Sequence, residues 1–322
     1  LVFLKSSEST VSSTPRRLNF PPVKKYIPPL AVITAAFLWS LDGLLRQQLY
    51  SIPAFLVITV EHFLGAILFL PFLVIGWRQL KTLDQRGWGS VLWISICGGL
   101  LGTFFYTKAL SYVGYIDLSV VVLLQKFQPI FAIILASVIL KEKLTSRFLL
   151  LAGIAFIGGY FVTFGVKPMV DWDDQTTIAV LLSLLAAFSW GSSTVLGKHA
   201  LNKLPFQLVT SLRLIITAIF ASMILIGTQE VSVVADMNSA QWKALLAIVI
   251  STGSVALFIY YYGLKHLPAS HTTIYELFWP LSAIFIDWFF RGRAMSPAQA
   301  AGSIVLLTAI VMLTRERKIK NG

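Results

Sequence analysis

The chain has 322 residues, 57% of them hydrophobic and 12% charged, with a mean hydropathy of +0.79 and a formal net charge of +12. That balance excludes a water-soluble fold, whose surface needs far more polar side chains. The single cysteine, Cys97, lies in an apolar run and excludes a disulfide framework within one chain.

Residues 1–29 are rich in Ser and Thr, basic, and punctuated by Pro15, Pro21, Pro22, Pro28 and Pro29. They lack the apolar centre of a signal peptide and read as a disordered cytoplasmic tail. Beyond them come apolar runs of about 18 to 25 residues, the length that carries a helix across a roughly 30 Å hydrocarbon core. The runs are continuous rather than alternating apolar and polar, which excludes a β-barrel. Spans are predicted at 30–49, 53–76, 88–110, 116–140, 147–165, 177–199, 205–227, 242–264, 268–290 and 297–314. Breakers such as Pro53, Pro205 and Pro297 mark short links, and residues 315–322 form a basic tail.

An internal repeat organises these spans. Ala35-Ala36-Phe37-Leu38-Trp39-Ser40 returns 151 residues later as Ala186-Ala187-Phe188-Ser189-Trp190-Gly191. At the same offset Thr59 meets Thr210, Gly76 meets Gly227 and Pro129 meets Pro280. Gly98, Gly99 and Gly102 fall opposite Thr252, Gly253 and Ala256, a small-residue stripe that lets helices approach closely. The expected fold is therefore an all-α membrane protein of ten helices, with five-helix repeats at 30–165 and 177–314. An odd number of spans per repeat inverts the second half relative to the first. With the N-terminus in the cytoplasm, the inner segments hold 18 Lys and Arg and the outer loops about five, Arg46 among them. That asymmetry predicts both termini inside. The net charge is then a topology signal rather than a nucleic-acid patch.

Catalytic and nucleotide-binding signatures are missing. Gly191 to His199 has the wrong glycine spacing for a phosphate loop, and His199 stands where Ser or Thr should hold magnesium. His62, His199, His266 and His271 include no metal-binding pair, and there is no nucleophile elbow. No cofactor or metal is expected.

What remains is a set of ionisable residues in apolar helices: Asp42, Glu61, His62, Lys126, Arg213 and Glu276. Each costs about 2.5 to 3.5 kcal/mol near a bilayer centre on insertion scales, and such residues mark a pathway. Gln125-Lys126-Phe127-Gln128-Pro129 and Glu276-Leu277-Phe278-Trp279-Pro280 are repeat equivalents. A proline cannot donate to the carbonyl four residues earlier, so Pro129 and Pro280 should free the carbonyls of Gln125 and Glu276 as polar groups at membrane depth. Gln125 and Gln128 share one helical face, as do Glu276 and Trp279. The expected substrate site comprises Asp42, Gln125, Lys126, Gln128, Tyr275, Glu276 and Trp279. Glu61, His62, Arg213 and His271 are expected as coupling or structural polar groups. Lys126 and Glu276 either pair with each other or serve substrate carboxylate and coupling proton separately. The tyrosine run 260–262 reads as interfacial anchoring and packing.

The inverted fives, the repeated Ala-Ala-Phe-x-Trp motif, the two proline segments and Leu140-Lys141-Glu142-Lys143-Leu144-Thr145 together resemble the drug/metabolite transporter superfamily, EamA type, over residues 30 to 314. The resemblance implies a secondary transporter in a bacterial inner membrane, such as an exporter of amino acids or related zwitterionic metabolites. It places the site between helices one, three, four, six, eight and nine. Where the family often carries Glu-Pro, this chain has Gln128-Pro129 and Trp279-Pro280. The expected partners are a small-molecule substrate, the lipid bilayer and protons, with a homodimer allowed and no nucleic acid. A ligand-binding sensor without turnover is the alternative reading.

Overall fold

A computed structural model describes residues 26–49, 51–110, 124–125, 127–166, 174–291 and 295–316. These are helical throughout, with no strand among the described residues. The first half holds α1 (Ile27–Arg46), α2 (Ala54–Gly76), α3 (Gln85–Trp93), α4 (Gly102–Leu110), α5 (Gln128–Ile139) and α6 (Ser146–Phe164). The second half holds α7 (Asp174–Lys203), α8 (Phe206–Gly227), α9 (Ser239–Ile250), α10 (Ser254–His266), α11 (Ala269–Tyr275), α12 (Phe278–Arg291) and α13 (Pro297–Glu316). Among the described residues, eight helical stretches are long and apolar enough to cross a membrane, and α5 is a shorter apolar helix.

Local chemistry explains several boundaries. Pro28 and Pro29 sit in the first turn of α1, where a missing N–H costs nothing. Thr145 caps α6 by accepting from Phe148 N at 3.1 Å, and Asn238 with Gln241 forms a capping box on α9. Gly165, at φ +61°, ends α6 in a conformation that favours glycine. Asp84 caps α3 through Gly87 N at 2.8 Å and also takes an ion pair from Lys203. Both donors hold the Asp84 carboxyl below the usual carboxylate range.

Three predicted spans are interrupted. A π-helical stretch, Ile94–Leu101, joins α3 to α4 inside one rod. Its repeat counterpart breaks at 251–253, between α9 and α10, with Gly253 at φ −88° and ψ −103°. The span expected at 268–290 divides into α11 and α12, because Pro280 cannot extend a regular ladder through Glu276. The expectation that this proline leaves the Glu276 carbonyl free is corrected. Trp279 N donates to that carbonyl at 2.9 Å in a tightened turn.

Helix packing is reciprocal between the halves. α2 lies against α8 and α6 against α13, while α1 packs on α10 as α4 packs on α7. Glycines permit backbone contact at these crossings: a Cβ on Gly158 would stand 2.8 Å from Leu306 N, and one on Gly302 2.8 Å from Val162 N. Solvation is inside-out relative to a soluble domain. Val74, Ile75, Val138 and Phe289 are exposed, whereas Ser183, Ser193, Thr210, Thr217 and Thr252 are buried. The apolar exterior suits lipid, and the small hydroxyls satisfy carbonyls within the bundle.

Candidate functional site

Glu276 lies at the α11–α12 junction, and both of its oxygens accept hydrogen bonds. Tyr260 of α10 donates its hydroxyl to Oε1 at 2.6 Å, and Gln128 at the start of α5 donates Nε2 to Oε2 at 2.7 Å. The second contact joins the halves across 148 residues and unites two residues that the proline segments had singled out. Tyr260 is steadied further by Thr194 of α7 at 2.9 Å and by the Trp39 ring of α1, with centroids 5.2 Å apart. Gln125 sits one turn before Gln128, and its Oε1 is buried with no hydrogen-bond partner among the described residues. Trp279 is half-buried beyond Glu276. Lys126 lies outside the described residues, so its relation to Glu276 does too. Tyr275 is fully buried, and its hydroxyl meets Thr314 of α13 at 3.2 Å.

A second cluster surrounds Arg213 of α8. Its Nη1 donates to the Tyr261 hydroxyl at 2.9 Å and lies 3.5 Å from Ser193 Oγ, and the guanidinium sits 5.7 Å from the Tyr261 ring centroid. Adjacent tyrosines of α10 thus serve an acid and a base. Gly98, in the π stretch, makes room for this group, because a Cβ there would fall 2.1 Å from Ser193 Oγ and 3.1 Å from Arg213 Nη2. Carbonyls of the irregular stretch find side-chain donors. Trp190 Nε1 reaches Gly98 O at 3.2 Å, and Thr217 Oγ1 reaches Ser95 O at 2.9 Å. Trp190 also packs on Tyr106 at 5.5 Å.

The third cluster is ionic. Arg46, at the end of α1, pairs with Asp42 one turn earlier and with Glu61 of α2 at 2.8 Å. Thr252, in the α9–α10 break, donates to Asp42 Oδ1 at 2.7 Å. A Cβ on Gly253 would stand 2.8 Å from Glu61 Oε1, so the break lets the second half reach the carboxylates of the first. His62 is buried beside Glu61, with Nδ1 2.9 Å from Ile58 O. A carbonyl can only accept, so Nδ1 carries the proton.

The expected residues therefore fall into separate neighbourhoods. Gln128 and Glu276 meet; Asp42 and Glu61 share Arg46; Arg213 keeps its own shell. His271 stacks on Phe148 with centroids 4.6 Å apart, beside the start of α11, where Glu142 accepts from Ala269 N and Ser270 N at 2.7 and 3.1 Å. Arg46, counted with the outer-loop charges, is instead the centre of an ion-pair triad. Tyr260 and Tyr261, read as packing, make the two contacts that organise the acid and the base. A tyrosine run has no spacing that distinguishes a polar contact from a buried ring.

The EamA-like transporter family model matches this chain twice, over residues 27–164 and 177–315. Riboflavin transporter ImpX of Fusobacterium nucleatum is 35% identical over 291 residues, covering 89% of this chain and 97% of that protein. A riboflavin transporter of Brucella anthropi is 26% identical over 271 residues, covering 83% and 89%. A solved crystal structure matches with a TM-score of 0.70 at 18% identity, covering 90% of this chain and 97% of its own, and shares the fold.

Proposed function

Because the chain belongs to the EamA-like transporter family, we propose that it is a secondary transporter of a planar, uncharged heteroaromatic metabolite of the flavin type, with riboflavin the first candidate. The observation that carries this reading is the combination of aromatic rings and neutral amides around Glu276. Trp39 and Tyr260 offer aromatic faces, Gln125 Oε1 is an unused buried acceptor, and Gln128 lies one turn away. A flavin ring stacks on such faces and presents an imide N–H and carbonyls to amides, while a sugar-alcohol chain offers hydroxyls to a carboxylate. The relatives named as riboflavin transporters support the same substrate.

Movement is by alternating access of two inverted five-helix repeats, ten spans in all, with both termini in the cytoplasm of a bacterial cell. The reciprocal packing of the halves supports that reading. Proton coupling has a physical route at Glu276. Tyr260 and Gln128 both donate to it, an arrangement that suits a carboxylate accepting on each oxygen. A proton placed on Oε2 makes that oxygen a donor and weakens it as an acceptor for the Gln128 amide. Protonation thereby loosens a tie between the first half and the α11–α12 junction.

A second reading, export of a zwitterionic metabolite such as an amino acid, is favoured by the nearness of a base and an acid, Arg213 and Glu276, through adjacent tyrosines. One experiment separates the two. Purified protein in liposomes is loaded with radiolabelled riboflavin or an amino-acid mixture, and flux is followed with and without a proton gradient. Saturable riboflavin flux that unlabelled riboflavin suppresses supports the flavin reading. Amino-acid flux alone overturns it in favour of the second, and binding without flux points to a sensor.

A further inference from the structure

Away from the central clusters, the start of α1 and the end of α13 enclose a groove of about 830 Å³ on the outer surface of the bundle. Leu30, Ile33 and Ile310 line its length, and Tyr26 and Arg315 stand among its lining residues at the helix ends. The groove is thus apolar along the helices and basic at one end. Immediately before Tyr26 the sequence reads Lys24-Lys25, and after Arg315 it continues with Arg317, Lys318 and Lys320. Among the described lining residues, Arg315 supplies the positive charge at that end.

We propose that this groove binds one anionic phospholipid, its acyl chain along Leu30, Ile33 and Ile310 and its phosphate at Arg315. Charge complementarity selects the occupant. A neutral detergent or a zwitterionic lipid fills the apolar length equally well, but an anionic headgroup gains an interaction of roughly fivefold in affinity for each Lys or Arg at the membrane surface. The groove also reaches the transport machinery. Thr314, one of its lining residues, meets the Tyr275 hydroxyl at 3.2 Å, and Tyr275 directly precedes Glu276. An occupied groove holds α13 against that contact.

The test is native mass spectrometry of the full chain in dodecyl maltoside micelles containing equal amounts of dioleoylphosphatidylglycerol and dioleoylphosphatidylcholine. The wild type is expected to retain the anionic lipid in at least about fivefold excess. In Arg315→Gln that preference should fall about fivefold while total lipid retained is unchanged. Leu30→Trp, at an exposed lining position, fills the groove and should lower retention of both lipids. Equal retention by the wild type, an unchanged preference in Arg315→Gln, or full retention in Leu30→Trp would overturn the proposal. Protection by glycerol 3-phosphate alone would mark a plain anion site, and a lipid-free dimer would mark the groove as a contact between copies. Either result also overturns it.

Discussion

The hydroxyl of Tyr260 lies 2.6 Å from Glu276 Oε1, which ties α10 to the junction that Pro280 forces between α11 and α12. The tie matters because Glu276 has a donor on each oxygen, and each donor comes from a different half of the chain. Glu276→Gln replaces one acceptor oxygen with an NH₂ that faces another donor. A buried hydrogen bond to a charged group contributes about 1.5–3 kcal/mol, so its loss is expected to lower substrate flux by about tenfold or more. Tyr260→Phe should lose flux to a similar extent. Substrate flux in liposomes, beside a thermal melt to confirm folding, checks both; wild-type flux in either variant removes Glu276 from the mechanism.

The Arg46 triad makes a different prediction. Two carboxylates share one guanidinium, with Thr252 donating from the other half. Arg46→Gln leaves Asp42 and Glu61 facing each other without compensation, and breaking a buried pair in this way costs on the order of 3 kcal/mol. The double change Asp42→Asn with Glu61→Gln in that background removes the uncompensated charge and should recover much of the lost stability. A chemical-denaturation series over the three proteins reads this directly. If the triple variant is no more stable than Arg46→Gln, the destabilisation is not electrostatic.

Much of the fold was legible in the sequence because its signals are local. Proline and small-residue punctuation located the helices, and the 151-residue echo of Ala35 to Ser40 disclosed two related halves. Gln128 and Glu276, which the structure brings together, could be singled out for the same reason, since each lies within four residues before a repeated proline. Their partners were not. Tyr260 reaches Glu276 only because α10 packs on α1 and turns its side chain toward the α11–α12 junction, and no spacing within α10 encodes that. Arg46 meets Glu61 across a hairpin whose angle depends on how α1 and α2 pack, so its charge could be counted but its partner could not be read. The π stretch and the break at 251–253 were visible only as glycine-rich sequence, because which carbonyls they release depends on donors such as Trp190 and Thr217 from other helices.

Asp84 and Lys203 supply a pH dependence outside the membrane-spanning segments. The Lys203 ammonium and Gly87 N–H lower the Asp84 pKa in the folded protein. A lowered folded pKa means that the contribution is fully present above the unfolded value, about 3.9, and is lost as pH falls through the folded value. Asp84→Asn keeps an acceptor for the cap but removes the charge. The wild type should melt above this variant at pH 6, the gap closing as pH falls below about 4. Because the pair is exposed, 0.5 M salt should narrow the gap at pH 6 as well. A gap independent of both pH and salt would assign the effect to the cap alone.

Three glycines separate contact with backbone from contact with side chains. At Gly158 an added Cβ meets Leu306 N at 2.8 Å and Gly302 O at 3.1 Å, which are backbone atoms of α13 and cannot turn aside. Gly158→Ala must push α6 and α13 apart, and overpacking of this kind costs about 1–3 kcal/mol. At Gly98 the added carbon falls 2.1 Å from Ser193 Oγ and 2.7 Å from Ser193 Cβ, so turning the hydroxyl away from Arg213 does not clear it and the π stretch must also move off α7. Gly98→Ala should therefore cost stability as Gly158→Ala does, and in addition disturb the shell of Arg213 and impair transport. Gly153 has nothing within 4 Å of an added Cβ and lies inside α6, where alanine is the better helix former by about 1 kcal/mol, so Gly153→Ala should stabilise. Denaturation midpoints for the three variants should place Gly153→Ala above both Gly98→Ala and Gly158→Ala. If Gly158→Ala is neutral, the α6–α13 crossing is looser than its backbone contacts require.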